Sequence, residues 1–305
     1  MDVLLLHPTP CQRSSLAIAE DMLDSANRVA ALRGEPAPFR WRTLRPEAVS
    51  PETPKPELVL LPGMGLASAQ ELRTAMNGSG FATLTDALRQ LARPGTRIAS
   101  ACSGVFALAA AGLLDGRRVT TTWWLAPLLR SWFPKVRVEM GEVLCSDGAL
   151  VTAGASFAQI DLMLHLIETQ AGYALAEDCR RFLLAESRPS QLPYLSVATL
   201  VAGDPALQRV ELYLRRHIAR QVPLAELAEA AGLGARTFAR RLSRVAGMTP
   251  SEFAQTLRVT EAIRLYRAGG LSLEQVAHRV GYGDATALRR VMTRRTGRRL
   301  ESFRT

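Results

Sequence analysis

The chain has 305 residues, 48% of them hydrophobic, enough for two domains with buried cores, which excludes a disordered polymer. Its formal charge of +10 is unevenly placed: residues 1–203 carry 19 basic against 19 acidic side chains, and the remainder 19 against 9, every one of those later bases an arginine. The guanidinium fork suits phosphates and guanine edges, so the expected polyanionic partner is nucleic acid.

Cys11, Cys102, Cys145 and Cys179 lie far apart, with no CxxC and no histidine at ligand spacing. That argues against a disulfide framework or a zinc site and for reduced thiols in a cytoplasm. No metal and no cofactor is expected. The opening "MDVLLLHPTP" lacks the basic region of a signal peptide, and no stretch reaches the roughly 18 to 20 apolar residues of a membrane span.

In chain order, "VLLLH" (3–7) reads as a strand, 15–32 as an amphipathic helix, "ELVLLPG" (57–63) as a strand, "TLTDALRQLA" (83–92) as a helical segment and "TRIASAC" as a strand. Then come "RVTTTWW", a hairpin turn in "CSDGALV", and the helix "SFAQIDLMLHLIETQAG", which Gly172 should stop. The alternation predicts a parallel sheet covered by helices. Residues 187–208 carry three prolines and no sustained period, so they read as a connector between a domain at 1–186 and one at 209–305.

The last third repeats itself. "LAELAEAAGLGARTFARRLSRVAG" (224–247) aligns with "LEQVAHRVGYGDATALRRVMTRRTG" (273–297), at an offset of 49 up to Gly232 and Gly281 and of 50 from Phe238 and Leu288 onward. A one-residue insertion confined to a turn suits two copies of helix, glycine turn, helix, the pattern of a helix-turn-helix. Phe238 and Leu242 should face inward and leave Arg236, Ala239, Arg240 and Arg244 outward. In the second copy Leu288 and Met292 face inward, leaving Thr286, Arg289 and Arg290 outward. Asp284 should cap its helix, and the linking helix "SEFAQTLRVTEAIRLYRAG" would set the two reading helices into successive major-groove segments about 34 Å apart.

With "LAEAAGLGARTFARRLSRVAGMTPSEF" and "VGYGDATALRRVMTRRTG" in this order, residues 205–305 resemble the AraC/XylS family of bacterial transcription regulators. The resemblance implies base-reading positions at Arg236, Ala239 and Arg240 and at Thr286, Arg289 and Arg290, with Thr237, Arg244 and Arg294 also at the DNA. Leu300, where the first copy has Pro250, departs only at a helix cap. Residues 1–170, above all "CSGVFALAAAGLLDGRRVTTTWW", resemble the PfpI-type branch of the class I glutamine amidotransferase-like superfamily, and the fusion resembles GlxA-type regulators. The implied fold is an α/β flavodoxin-like parallel-sheet N-terminal domain followed by an all-α C-terminal domain with two helix-turn-helix motifs.

Enzymes of that superfamily place a thiol where Cys102 lies, on a strand-to-helix elbow. An activated thiol needs a base and an acid beside it. Here Thr122 of "TTTWW" stands where the family has histidine, and the acidic position falls on Ser14 or Ser15, Glu20 lying too far along. His7, at the end of the first strand, and His165 are the histidines left outside the C-terminal part. The elbow then reads as a non-catalytic pocket in which Gly63, Ser103 and the helix start offer amides to an anion, and Ser14, Ser15, Cys102, Thr122, Trp123 and Trp124 line it, an indole holding an amine.

The expected function is sequence-specific transcription regulation in response to a small, amino-acid-like or amine-like metabolite. Its partners would be promoter DNA, RNA polymerase and a second copy joined through the N-terminal domain. Two alternatives stay open: a cysteine-dependent amidase or hydrolase with an ancillary DNA-binding domain, and a redox-sensing regulator acting through Cys102.

Overall fold

The computed structural model describes residues 1–303 and divides into two compact units, Met1–Arg188 and Pro189–Thr305. In the first unit the chain runs β1 (Asp2–Leu6), α1 (Arg13–Leu32), β2 (Arg40–Leu44), β3 (Leu58–Leu61), α2 (Ala69–Met76), α3 (Ser79–Leu91), β4 (Arg97–Ala101), α4 (Val105–Ala110) and β5 (Arg118–Val119). It continues with α5 (Ala126–Trp132), β6 (Arg137–Val138), β7 (Leu144–Asp147), β8 (Leu150–Ala153), α6 (Ala158–Ala171) and α7 (Tyr173–Phe182).

The main sheet has the order β2-β1-β3-β4-β8-β7, parallel except where β7 returns against β8, which is a flavodoxin-like arrangement. The central strands are continuous apolar runs because both faces are covered. Val3, Leu5, Leu58, Leu60 and Ala99 pack with α1, α6 and α7, while Leu4, Leu6, Val59 and Leu61 are buried on the opposite face. The edge strand β2, "RWRTL", has no fully buried residue, only exposed and half-buried ones; its arginines hide it from an apolar-run reading and keep the edge solvated.

The hairpin turn in "CSDGALV" forms as expected, with Asp147 opposite Leu150 and Gly148 at φ +63°. Gly172, at φ +89°, ends α6. In "RVTTTWW" only Arg118 and Val119 are strand, in a separate two-stranded sheet with β6. Thr120, Thr121 and Thr122 beyond it are irregular and wholly buried.

The second unit is helical: α8 (Val197–Val201), α9 (Pro205–Arg216), α10 (Leu224–Ala231), α11 (Ala235–Ala246), α12 (Pro250–Arg267), α13 (Leu273–Arg279) and α14 (Ala285–Thr296). The connector expected at 187–208 is corrected here. Leu195, Val197, Leu200 and Val201 are buried within this unit, and Asp204 caps α9 by accepting from Ala206 and Leu207 at 3.1 and 3.2 Å. The prolines break the sequence period without freeing the chain, since Pro205 sits at a helix start where its missing N–H costs nothing. Arg188 is held in the first unit, its side chain donating to Asp161 and its amide bonding the same carboxylate at 3.0 Å.

The two copies of the repeat fold as α10–α11 and α13–α14, joined by α12. Phe238, Leu242, Leu288 and Met292 are all wholly buried. Gly232 and Gly281 both hold positive φ, +68° and +82°; at Gly281 a side chain would also strike the Ile218 carbonyl at 2.7 Å. Arg258 of α12 is buried and donates to the carbonyls of Ile218 and Arg220 and to Gln221, so the same loop is gripped from both sides. Pro250 opens α12 beneath a Thr249–Glu252 capping box, whereas Leu300 begins a 3₁₀ turn, Leu300–Phe303, and is buried as a core residue.

Candidate functional site

Two sites emerge, one in each unit. In the second, α11 and α14 bury one apolar stripe and turn the other face to solvent. Arg236, Thr237, Arg240 and Arg244 are exposed on α11, with Ala239 half-buried among them. Thr286, Arg289, Arg290 and Arg294 are exposed on α14. Every base-reading position expected from the sequence thus lies on the exposed face of its helix, and Asp284 caps α14 by accepting from Ala287 at 2.6 Å. Arg295, beside this face, turns inward to donate to Thr256 at 2.6 Å and the Glu252 carbonyl at 3.2 Å. Burial lowers its pKa. Arg289 donates through Nε to Glu301 of the 3₁₀ turn at 2.7 Å, a contact not anticipated from the repeat.

In the first unit the parallel strands deliver their C-terminal ends to one sheet edge. There β4 is followed by Cys102 at φ +55°, a left-handed conformation that L side chains adopt only when their surroundings hold it. Gly104 is needed just after it, because a Cβ would lie 2.6 Å from Ser100 Oγ and 2.7 Å from the Pro62 carbonyl. Thr121 donates to the Cys102 carbonyl at 2.7 Å, and the Cys102 amide donates to Gly154 at 2.8 Å. The elbow is therefore pinned on both sides.

The thiol is 3% exposed, and burial pushes its pKa up against a smaller opposing effect of the Ser103 amide. Its side-chain neighbour is Ser156, 3.9 Å away, whose hydroxyl donates to Gln12 Oε1 at 2.9 Å. The hydrogen bond with Ser156, like the Ser103 amide, works against burial without overcoming it. Neither His7 nor His165 is among the hydrogen-bonding partners of Cys102. Burial lowers the pKa of His165 and raises that of Cys11 to about 11, and all four cysteines are free.

The structure gathers some of the expected pocket residues and separates others. Ser15 is buried, accepts from the Gly63 amide at 3.0 Å and donates to Gln159 at 2.9 Å. Ser103 accepts from the amides of Met64 and Leu66 at 3.1 and 3.3 Å. The Gly63 amide, expected to meet a ligand, is therefore already spent inside the protein. Ser14 is exposed and accepts from Gln12 Nε2 at 3.3 Å. Thr122 is wholly buried, with no partner for its hydroxyl. Trp123 is buried edge-to-face on Trp124, whose indole donates to the Ala67 carbonyl at 3.1 Å. The loop carrying Leu66 and Ala67 borders an open cavity of about 500 Å³, lined by Pro10, Leu66, Ser68, Glu71 and Thr74 among others. Gln12, Ser156 and Gln159 were missed in the sequence because nothing local marks them; the topology alone brings 12 and 156 together.

No helix among the described residues is long and apolar enough to cross a membrane, and no group of three His, Cys, Asp or Glu residues stands ready for a metal.

Comparison with known proteins agrees with this division. The DJ-1/PfpI family matches residues 44–169, and a helix-turn-helix domain family matches residues 227–305. The HTH-type transcriptional regulator CdhR of Pseudomonas aeruginosa is 34% identical over 198 residues, 64% of this chain and 59% of that protein. The HTH-type transcriptional regulator GlxA of Rhizobium meliloti is 30% identical over 200 residues, 65% and 61% of the two chains. This chain thus spans about three fifths of the length of these curated relatives. A solved structure from Vibrio parahaemolyticus superposes with a TM-score of 0.50 at 19% identity, over 60% of this chain and 98% of that one, and shares the fold of the first unit. Residues 44–169 of the chain thus match the DJ-1/PfpI family and residues 227–305 a helix-turn-helix domain family, and over about two thirds of its length the chain is similar to HTH-type transcriptional regulators.

Proposed function

We propose that the chain is a sequence-specific DNA-binding transcription regulator whose DJ-1/PfpI domain binds a small metabolite and performs no catalysis. The observation that carries this reading is the pair of exposed arginine faces on α11 and α14, each seated on a wholly buried apolar pair. Arg236, Arg240, Arg289 and Arg290 serve as base readers, Ala239 and Thr286 as apolar or hydroxyl contacts, and Thr237, Arg244 and Arg294 as phosphate contacts. The names of the similar proteins, HTH-type transcriptional regulators, support the same reading.

The burial of the Cys102 thiol, which raises its pKa, and its neighbour Ser156, which is bonded to Gln12 and is no base, argue against both the amidase and the redox-sensor alternatives. The effector sits instead in the cavity bordering the loop that carries Leu66 and Ala67. Glu71 there, with Trp124 anchored next to Leu66, favours an amine or amino acid. Binding must stabilise one arrangement of the regulator over another, since equal affinity for both shifts nothing. Exposed Phe157, Tyr173 and Phe182 supply apolar surface for pairing two copies through this domain. A cytoplasmic location and contact with RNA polymerase complete the reading.

The test is a gel-shift series on duplexes selected by the full chain from a randomised pool. R240A and R290A are each expected to weaken binding by about 1 to 3 kcal/mol and to relax base preference in one half of the site only. Unchanged affinity and preference in both variants would overturn the proposal.

A further inference from the structure

The two copies of the repeat differ at two positions that meet in space. At an offset of 50, Ala239 and Ser251 of the first copy correspond to Arg289 and Glu301 of the second. Alanine and serine cannot pair; arginine and glutamate do, through Arg289 Nε and Glu301 Oε1 at 2.7 Å. The partners come from different elements, the exposed face of α14 and the 3₁₀ turn after it, and lie 12 residues apart, so this is no accident of helical spacing. Both stay substantially exposed, at 49% and 40% of their side-chain surface, so the pair belongs to the reading face and not to the core.

An arginine reads guanine with two parallel N–H groups, aimed at O6 and N7. It can present either its end, through both Nη atoms, or its side, through Nε and one Nη. In Arg289 the Nε–H is already given to Glu301, so the side is blocked and the end remains. The carboxylate also removes side-chain rotamers that an unrestrained arginine would have to surrender on binding. Arg236, Arg240 and Arg290 have no such ion pair among the described residues.

We propose that Glu301 is a specificity-determining positioning residue: it holds Arg289 end-on, so that the second half of the site reads a guanine where the first half, with Ala239, takes only an apolar contact. Glu301 itself touches no base. Its carboxylate, standing near the phosphates, weakens binding to all sequences, and the cost is offset only at the base that Arg289 reads. The inference rests on the DNA-reading role proposed above.

The experiment is selection from a randomised duplex pool by the full chain as wild type, E301A, E301Q and R289A, with binding curves on the winning duplex and its single-base variants. R289A locates the base that Arg289 reads. At that position E301A is expected to lose roughly tenfold of the guanine preference while binding non-specific duplex as tightly as wild type or more so. E301Q, whose side-chain oxygen still accepts from Nε, should keep most of the preference and share the gain in non-specific binding. The preference ratio is independent of the fraction of folded protein. Full guanine preference in E301A, or a loss spread over every position, overturns the proposal, as does equal loss in E301A and E301Q. If R240A and R290A also leave preference untouched, the DNA-reading assignment itself has failed; if they relax it while E301A does not, only the role of Glu301 has.

Discussion

Cys102 shows how far a single residue's surroundings set its chemistry. Its elbow is built as a reactive thiol would need, with a left-handed backbone and a glycine two residues on, yet burial at 3% exposure raises its pKa against the opposing hydrogen bonds of Ser103 and Ser156. Alkylation followed by peptide mapping across pH should give Cys102 a half-point well above the ordinary thiol value of about 8.5. A half-point at or below that value would restore the thiol-enzyme reading. Cys145, pushed to about 12 mainly by burial, and Cys179, pushed to about 11 for the same reason, should be equally slow. The absence of histidine at Thr122 was legible in the sequence. That Ser156, bonded to Gln12, neighbours the thiol was not, because 144 residues separate Gln12 and Ser156 and only the sheet edge joins them.

At the scale of elements, caps and close approaches decide where the helices of the second unit begin and how they stack. Asp204 caps α9 and pairs with Arg241 of α11 at 2.6 Å, so one carboxylate starts one helix and anchors another. Burial pushes its pKa up, but Arg241 and the two amides outweigh burial and leave it below the usual carboxylate value. The unfolded chain therefore takes up this proton at higher pH than the folded one. The stabilisation is complete above about pH 4 and is lost as pH falls through the lower folded value. D204A is expected to cost about 2 kcal/mol or more in urea unfolding of the full chain at pH 7. D204N, which keeps an acceptor for the cap, should cost less and lose this part of the acid dependence. An unchanged urea midpoint in D204A would show that the cap contributes nothing. The segment around Asp204 reads as a linker in sequence because three prolines interrupt its period; buried Val197, Leu200 and Val201 reveal its packing only once α8 is formed.

At the scale of the whole molecule, the charge asymmetry becomes a salt dependence. Each phosphate neutralised contributes a slope of about −0.9 in log affinity against log salt, so binding should fall steeply with ionic strength. Arg244 and Arg294, exposed near the last turns of α11 and α14, are expected to act on phosphates. R244A or R294A should weaken binding evenly across sequences and make the slope shallower by about one, as read from gel shifts at several salt concentrations. A slope unchanged in both variants would move the phosphate contacts elsewhere.

The sequence by itself determined what depends on local pattern: the alternation that makes a parallel sheet, the two glycine-turned helix pairs and their offset, the inward pairs Phe238–Leu242 and Leu288–Met292, and the arginine faces opposite them. These follow from helix and strand periods, which act over a few residues. Tertiary structure alone decided what depends on long-range juxtaposition: the Arg-rich edge strand β2, the folding of the expected connector into the second unit, the Ser156–Gln12 surroundings of Cys102 and the Arg289–Glu301 pair. In each case the deciding interaction is a burial or a hydrogen bond between elements, and its energy exists only after the chain has closed the loop that brings them together.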